Sequence, residues 1–178
     1  MRVRQRLFVC FAALLAGIGL ATPTTAGAAS IPLTCGTQSG GSQTVYNPIR
    51  FVRFGHHIEE GGFDRFVVEF WTTPLPSWTA IPKSSALFYT TGGQGPQPVQ
   101  LEGTAGIKLS LFSTSLHDPT QPFTPPSRYD PEFPQLAEVR DLGDFEGHVD
   151  FGLGLERQSC KRIFTLTLPT RLVIDVPN

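Results

Sequence analysis

The sequence predicts an all-β protein, an antiparallel two-sheet β-sandwich. Three observations carry that prediction. Apolar residues recur with period two from Asn47 onward, no window shows the i, i+3, i+4, i+7 stripe of an amphipathic helix, and Gly/Pro turn signals break the runs at short intervals.

The elements follow in chain order. Arg2, Arg4 and Arg6 precede the apolar run LFVCFAALLAGIGLA, which is too short to span a bilayer comfortably. Ala26 and Ala28 then form an A-x-A cleavage pattern, so residues 1–28 read as a secretory signal peptide cut before Ala29. The expectation is a secreted domain, extracellular or cell-wall associated, with no membrane span after cleavage. Cleavage leaves 150 of the 178 residues, enough for one domain with its own core. Residues 29–47 contain CGTQSGGSQT, with too little apolar surface to fold alone, and read as a flexible leader.

The domain is expected over 48–178. In PIRFVRFGHH, Val52 and Phe54 share one face while Phe51 and Arg53 share the other. In FDRFVVEFW, Phe66, Val68 and Phe70 oppose Arg65, Val67 and Glu69. The intervening GHHIEEGG supplies two glycines for a turn, which predicts a hairpin. SWTAIP is a short strand ended by Pro82; PVQLEG and AGIKLSLFSTSL continue the alternation, with Ile107, Leu109 and Leu111 on one face. Residues 117–134 carry six prolines and predict a long extended loop. LAEVRDLG, GHVDFGLGLE, RIFTLTL and TRLVIDV return to strands. Leu166 and Leu168 alternate across Thr165 and Thr167 before a break at Pro169 and Thr170, and in DFEG a turn is expected with Phe145 anchored in the core.

Charge and chemistry exclude several functions. The signal segment holds three of the 14 basic residues, so eleven face fifteen acids in the mature chain, a net charge of −4 with no basic cluster beyond Lys161 and Arg162. Nucleic-acid binding lacks its electrostatic footprint. No metal site is expected, because His56, His57, His117 and His148 match no ligand spacing and adjacent strand residues such as His56 and His57 point to opposite faces. No cofactor motif and no G-x-S-x-G or S-x-x-K nucleophile motif occurs, so no catalytic residue is assigned and the chain reads as a non-enzyme. Glu146 and Asp150 are acids without a marked partner, and the DFEG carboxylates read as turn residues that accept backbone amides, or else as a patch for ligand hydroxyls. Cys35 and Cys160 either form a disulfide closing a long loop or remain free thiols, and an oxidising compartment favours the bridge.

The closing FTLTLPTRLVIDVPN, with GFDRFVVEF and GDFEGHVDFGLGL, resembles the AMIN-like domains of exported actinobacterial proteins, relatives of the AMIN (amidase N-terminal) domain of bacterial cell-envelope proteins. The resemblance covers residues 48–177. It implies a β-sandwich acting as a non-catalytic module that binds peptidoglycan or another envelope polymer, or localises in the envelope. A glycan ligand needs flat aromatic surface, for which Trp71, Trp78, Tyr89 and Tyr129 are the candidates, although Trp71 and Trp78 flank TTPLPS and equally suit a cap on the core. Arg53, Arg65 and Arg171 fall on outward strand positions, where guanidinium forks suit muramyl or peptide carboxylates or pair across strands with Glu69 or Asp175. The alternative partner is an envelope protein taken by an exposed strand edge or the proline-rich loop.

Overall fold

The computed structural model describes residues 31–42, 44–58, 61–93, 95–118 and 125–178. The signal peptide of the sequence reading lies outside the described residues. Twelve strands follow in order: β1 (Gln38–Gly40), β2 (Ile49–His57), β3 (Phe63–Phe70), β4 (Ser77–Lys83), β5 (Leu87–Tyr89), β6 (Pro98–Gln100), β7 (Ala105–Phe112), β8 (Arg128–Tyr129), β9 (Leu136–Phe145), β10 (His148–Leu155), β11 (Arg162–Leu166) and β12 (Arg171–Pro177). They build a six-stranded sheet, β1-β4-β7-β10-β9-β8, a four-stranded sheet, β11-β12-β3-β2, and a separate β5-β6 hairpin. All pairings between these strands are antiparallel. The all-β sandwich of the sequence reading is what forms.

The core lies between the two large sheets because the period-two faces meet there. Phe66, Val68, Phe70, Leu172 and Ile174 from the smaller sheet bury against Ile107, Leu109, Leu111, Val149 and Phe151 from the larger one. Phe66 meets Phe151 edge-on at 5.6 Å between ring centroids, and each such buried side chain stabilises the fold by roughly 1.5–3 kcal/mol.

A buried carboxylate ties the two layers at one end, and a half-buried one fastens a loop at the other. Asp64, on β3, is fully buried, and its carboxylate accepts the amides of Gln135 at 2.7 Å and Leu136 at 2.9 Å, at the start of β9 in the other sheet. Its second oxygen pairs with His56 Nδ1 at 2.7 Å. His57 points the other way and stacks on Phe63 at 4.6 Å. The two histidines thus take opposite faces of β2. At the far end Asp144 accepts the amides of Leu116 at 2.7 Å and His117 at 2.8 Å and the Ser115 hydroxyl at 2.6 Å. That carboxylate of DFEG has the backbone-satisfying role.

Several expectations need correction. Phe145 is not in the core; it is 52% exposed. β9 carries a bulge, since Asp150 pairs with Gly143 while Phe151 pairs with Asp141, and the extra residue turns Phe145 outward. A two-residue turn at Glu146 (φ 51°) and Gly147 (φ 75°) then joins β9 to β10. Leu168 does not continue the alternation, because β11 stops at Leu166 and Leu168 sits in the following turn, 90% exposed. Pro82 does not end β4, which runs to Lys83. β1 pairs only with Trp78–Ala80, so Pro82 lies where the neighbouring strand has stopped, a place that tolerates a missing N–H. Within the proline-rich segment Arg128 and Tyr129 form a two-residue edge strand on β9.

The stretch read as a leader also contributes structure. Gln38–Gly40 adds to the edge of β4, Thr34 bridges to Lys161, and Cys35 is disulfide-bonded to Cys160. The Lys161 side chain is buried and donates to the Gly36 carbonyl at 2.6 Å. A polar segment with no core of its own is ordered because the domain supplies edge, bridge and acceptor.

The β5-β6 hairpin covers part of the outer face of the larger sheet through Phe88, Leu101 and Ala86, which pack with Leu142. The sheet accommodates it by lacking side chains there. A Cβ on Gly106 would stand 2.6 Å from the Phe88 ring, closer than packing permits.

Candidate functional site

The structure separates the aromatic residues that the sequence groups together. Trp78 is only 7% exposed, and a Cβ on Gly40 of β1 would stand 3.1 Å from its ring. It is a core residue roofed by the N-terminal segment. Tyr129 packs on Phe54 at 5.0 Å between centroids and its hydroxyl is buried without a hydrogen-bond partner among the described residues. Burial, and secondarily the charge of Asp141, pushes its phenol up to about 12. Because the folded value lies above the ordinary value of 10.0, this group contributes stability that is complete below pH ~10 and is lost as pH rises toward ~12. A spectrophotometric titration is expected to show one tyrosine ionising in step with that loss; three tyrosines titrating together near the ordinary value would contradict it.

Trp71, in contrast, is 38% exposed. It lines a cleft of about 260 Å³ with Thr72, Thr73, Leu168, Pro169 and Thr170. The Arg50 guanidinium lies 4.7 Å from the Trp71 ring centroid, and Arg171 Nε donates to the Pro169 carbonyl at 3.3 Å. One wall follows β3 and the other precedes β12; each contains a cis proline peptide, Thr73–Pro74 and Leu168–Pro169. The Phe70 amide donates to the Thr170 carbonyl at 2.9 Å and joins the walls at their base. The Thr170 hydroxyl, in a residue 6% exposed, has no hydrogen-bond partner among the described residues.

The wall that bears Trp71 is braced from beneath. Asn47 is fully buried, and its amide donates to the carbonyls of Thr72 at 2.7 Å and Pro74 at 3.0 Å while its oxygen accepts the Thr72 amide at 3.0 Å. Its backbone is fastened in turn: the Asn47 amide donates to the Ser113 carbonyl, and the Thr114 hydroxyl donates to the Asn47 carbonyl at 2.7 Å. Three side-chain hydrogen bonds to one short loop hold the indole in place. The sequence reading missed Asn47, Arg50 and Thr170. Arg50 had a readable signal, since it follows Ile49 at the head of the strand that neighbours Trp71's strand. Asn47 and Thr170 had none, because their roles depend on which loops meet.

The arginines lie on the outer face of the smaller sheet. Register places Arg65 opposite Asp175, Arg171 opposite Glu69, and Val67 opposite Val173. Arg53 pairs with Glu69 at 3.2 Å, as Arg50 does at 3.4 Å. Arg65 grips Asp175 with two hydrogen bonds of 2.7 and 2.9 Å, and Arg162 adds two more at 2.9 and 3.2 Å. Among the described residues no carboxylate lies within 4 Å of Arg171. The repeated pentapeptides RFVVE (65–69) and RLVID (171–175) generate this arrangement; their kinship is visible in the sequence only when the two strands are known to be neighbours.

Among the described residues, His117 and His148 and the acids beside them are engaged. His117 pairs with Asp141 at 2.9 Å, and buried Asp150 is approached by Lys108 at 2.9 Å and His148 at 3.1 Å and receives the Ser110 hydroxyl. Among the described residues, the carboxylates of Glu102, Asp130 and Glu138 come within 4.8 Å of one another. Arg128 stands between them, 2.6 Å from Asp130 and 3.0 Å from Glu102, where a cation would otherwise be needed. No helix of the described residues is long and apolar enough to cross a membrane.

No curated protein and no solved structure matches the chain. The family model of the AMIN-like domain does match, over residues 47–178. That span opens on Asn47, the brace of the Trp71 loop, and holds both walls of the cleft and both pentapeptides; the chain belongs to the AMIN-like domain family.

Proposed function

We propose that the protein is a secreted, non-catalytic wall-binding module whose Trp71 cleft takes a glycan strand of peptidoglycan. Family membership supports an envelope-associated role, and the Cys35–Cys160 bridge fits an extracytoplasmic location. The observation that carries the reading is the pairing, in one cleft, of an exposed indole with a buried hydroxyl that has no partner among the described residues. A sugar ring presents an apolar face to an indole and hydroxyls at its edge. The Thr170 hydroxyl lies just beneath that edge, and Arg50 and Arg171 stand near for stem-peptide carboxylates.

The test is co-sedimentation with purified sacculi stripped of covalently attached polymers. Trp71→Ala is expected to weaken retention by roughly tenfold to thirtyfold, the loss of an aromatic anchor of about 1.5–2 kcal/mol. Thr170→Val is expected to weaken it less. Equal sedimentation of wild type and Trp71→Ala would defeat the reading.

One observation favours a second reading, an envelope protein partner. β2 is nine residues long and forms an edge of its sheet, so it offers backbone groups for strand addition. Cross-linking in intact cells from positions on β2 tests it.

A further inference from the structure

Beyond the Trp71 cleft, we propose that the outer face of the β11-β12-β3-β2 sheet is a second binding surface, for a phosphodiester-linked anionic polymer of the cell wall. This surface does not depend on the glycan reading. It rests on how the face distributes charge.

Two buried carboxylates are each shared by two guanidiniums: Glu69 by Arg50 and Arg53, and Asp175 by Arg65 and Arg162. Arg171, opposite Glu69, adds a fifth cation. Among the described residues, five guanidiniums over two carboxylates leave an excess of three positive charges on this face, in a chain whose formal net charge is −1. The acids lie beneath, with side chains 4% and 1% exposed, while the four arginines paired to them are 25–58% exposed. An approaching polymer therefore meets the cations and not their counterions.

The cations are also held in place. Arg50 and Arg53 lie 5.1 and 5.2 Å from the Phe51 ring centroid, and Arg65 and Arg162 lie 4.9 and 5.2 Å from that of Phe63. Each pair shares one ring and one buried acid, which fixes the guanidinium planes before a ligand arrives. Glu69 and Asp175 sit on neighbouring strands four residues out of step, so the two cradles are roughly 14 Å apart along the strands at 3.4 Å per residue. Val67 and Val173 fill the space between them.

This pattern selects among anions. The geometry that suits a carboxylate, two forks closing on one group, is already occupied by Glu69 and Asp175. What faces outward are separated guanidinium edges divided by apolar side chains, which match single charges spaced along a chain with carbon between them. A bilayer surface is a poorer match, because the aromatic rings support the arginines from below and do not project; Phe63 is 4% exposed.

The experiment measures binding of the disulfide-intact protein to a purified glycerol-phosphate wall polymer by titration calorimetry across salt concentrations. Wild type is expected to bind at low ionic strength and to weaken as salt rises, since the groups are near the surface. Arg53→Glu is expected to weaken binding roughly tenfold, and the double variant Arg53→Gln/Arg162→Gln by a similar factor, since each lowers the charge of the face by two. Both variants leave one arginine on every buried acid, and circular dichroism confirms their fold. Unchanged affinity in both variants would overturn the proposal. So would stronger binding to polyglutamate, to phosphatidylglycerol vesicles or to duplex DNA than to the phosphodiester polymer. Arg50 and Arg171 border both surfaces, but Trp71→Ala leaves all five arginines in place and Arg53 and Arg162 lie outside the cleft lining, so the two surfaces fail separately.

Discussion

Replacing Cys35 and Cys160 together by serine is expected to lower the free energy of unfolding by about 5 kcal/mol, the chain-entropy value for a loop of this length. The bridge spans a sequence separation of 125 residues, so cutting it releases nearly the whole described chain in the unfolded ensemble. The native state suffers as well. Thr34 exchanges two backbone hydrogen bonds with Lys161, at 2.7 and 3.0 Å, and the Lys161 ammonium donates to Gly36. Burial lowers the pKa of that ammonium, which shows how closely the segment and the domain enclose it. With the segment untethered, β1 leaves the edge of β4 and the roof over Trp78 opens. Denaturant unfolding followed by tryptophan fluorescence measures the effect, with and without reductant for the wild type. A loss below about 1 kcal/mol would mean that the bridge contributes little to the domain's stability.

Asp64→Ala is the second large effect, an expected loss of roughly 3–5 kcal/mol. The carboxylate is fully buried and is the acceptor for two main-chain amides of the opposite sheet. Alanine leaves the Gln135 and Leu136 amides without an acceptor in a dry interior, and each such orphan costs about 1–3 kcal/mol. His56 loses its partner too. Asp64→Asn retains an acceptor oxygen toward the amides and is expected to cost only about 1–2 kcal/mol. The contrast between the two variants in thermal and urea unfolding identifies the amides, and not side-chain volume, as the source. Equal stability of the alanine variant and the wild type would show that β9 is held by packing alone.

These polar staples mark the boundary of what sequence pattern reveals. Alternation in RFVVEF, KLSLF and RLVIDV names the inward side chains correctly, because a strand with one buried face must place every second residue in oil. The β2-β3 hairpin is legible for the same reason, with glycines where the chain reverses. Phe145 and Leu168 escape the rule: one follows a bulge, the other a turn, and each breaks the period at a point where no residue type announces it. The hairpin over Gly106, Gly152 and Gly154 was equally hidden. Glycine in a strand signals a close neighbour, and only the fold says which neighbour.

The binding surfaces divide along the same line. Trp71, Arg53, Arg65 and Arg171 were readable as outward aromatic and cationic residues, yet Trp78 and Tyr129 looked no different from Trp71 in sequence. Exposure of an indole depends on what the rest of the chain lays over it, here β1 over Trp78 but only the Arg50 guanidinium beside Trp71 among the described residues. By itself the sequence determined the class of fold, the inward face of most strands, the family resemblance and the two cysteines able to bridge. Tertiary structure alone decided which loops enclose Trp71, that Asn47 braces them, and that two distant pentapeptides lie side by side with their acids beneath their arginines. The reason is physical: alternation is a local consequence of backbone geometry, whereas a cleft or a charged face is made by strands whose adjacency is set by the packing of the whole core.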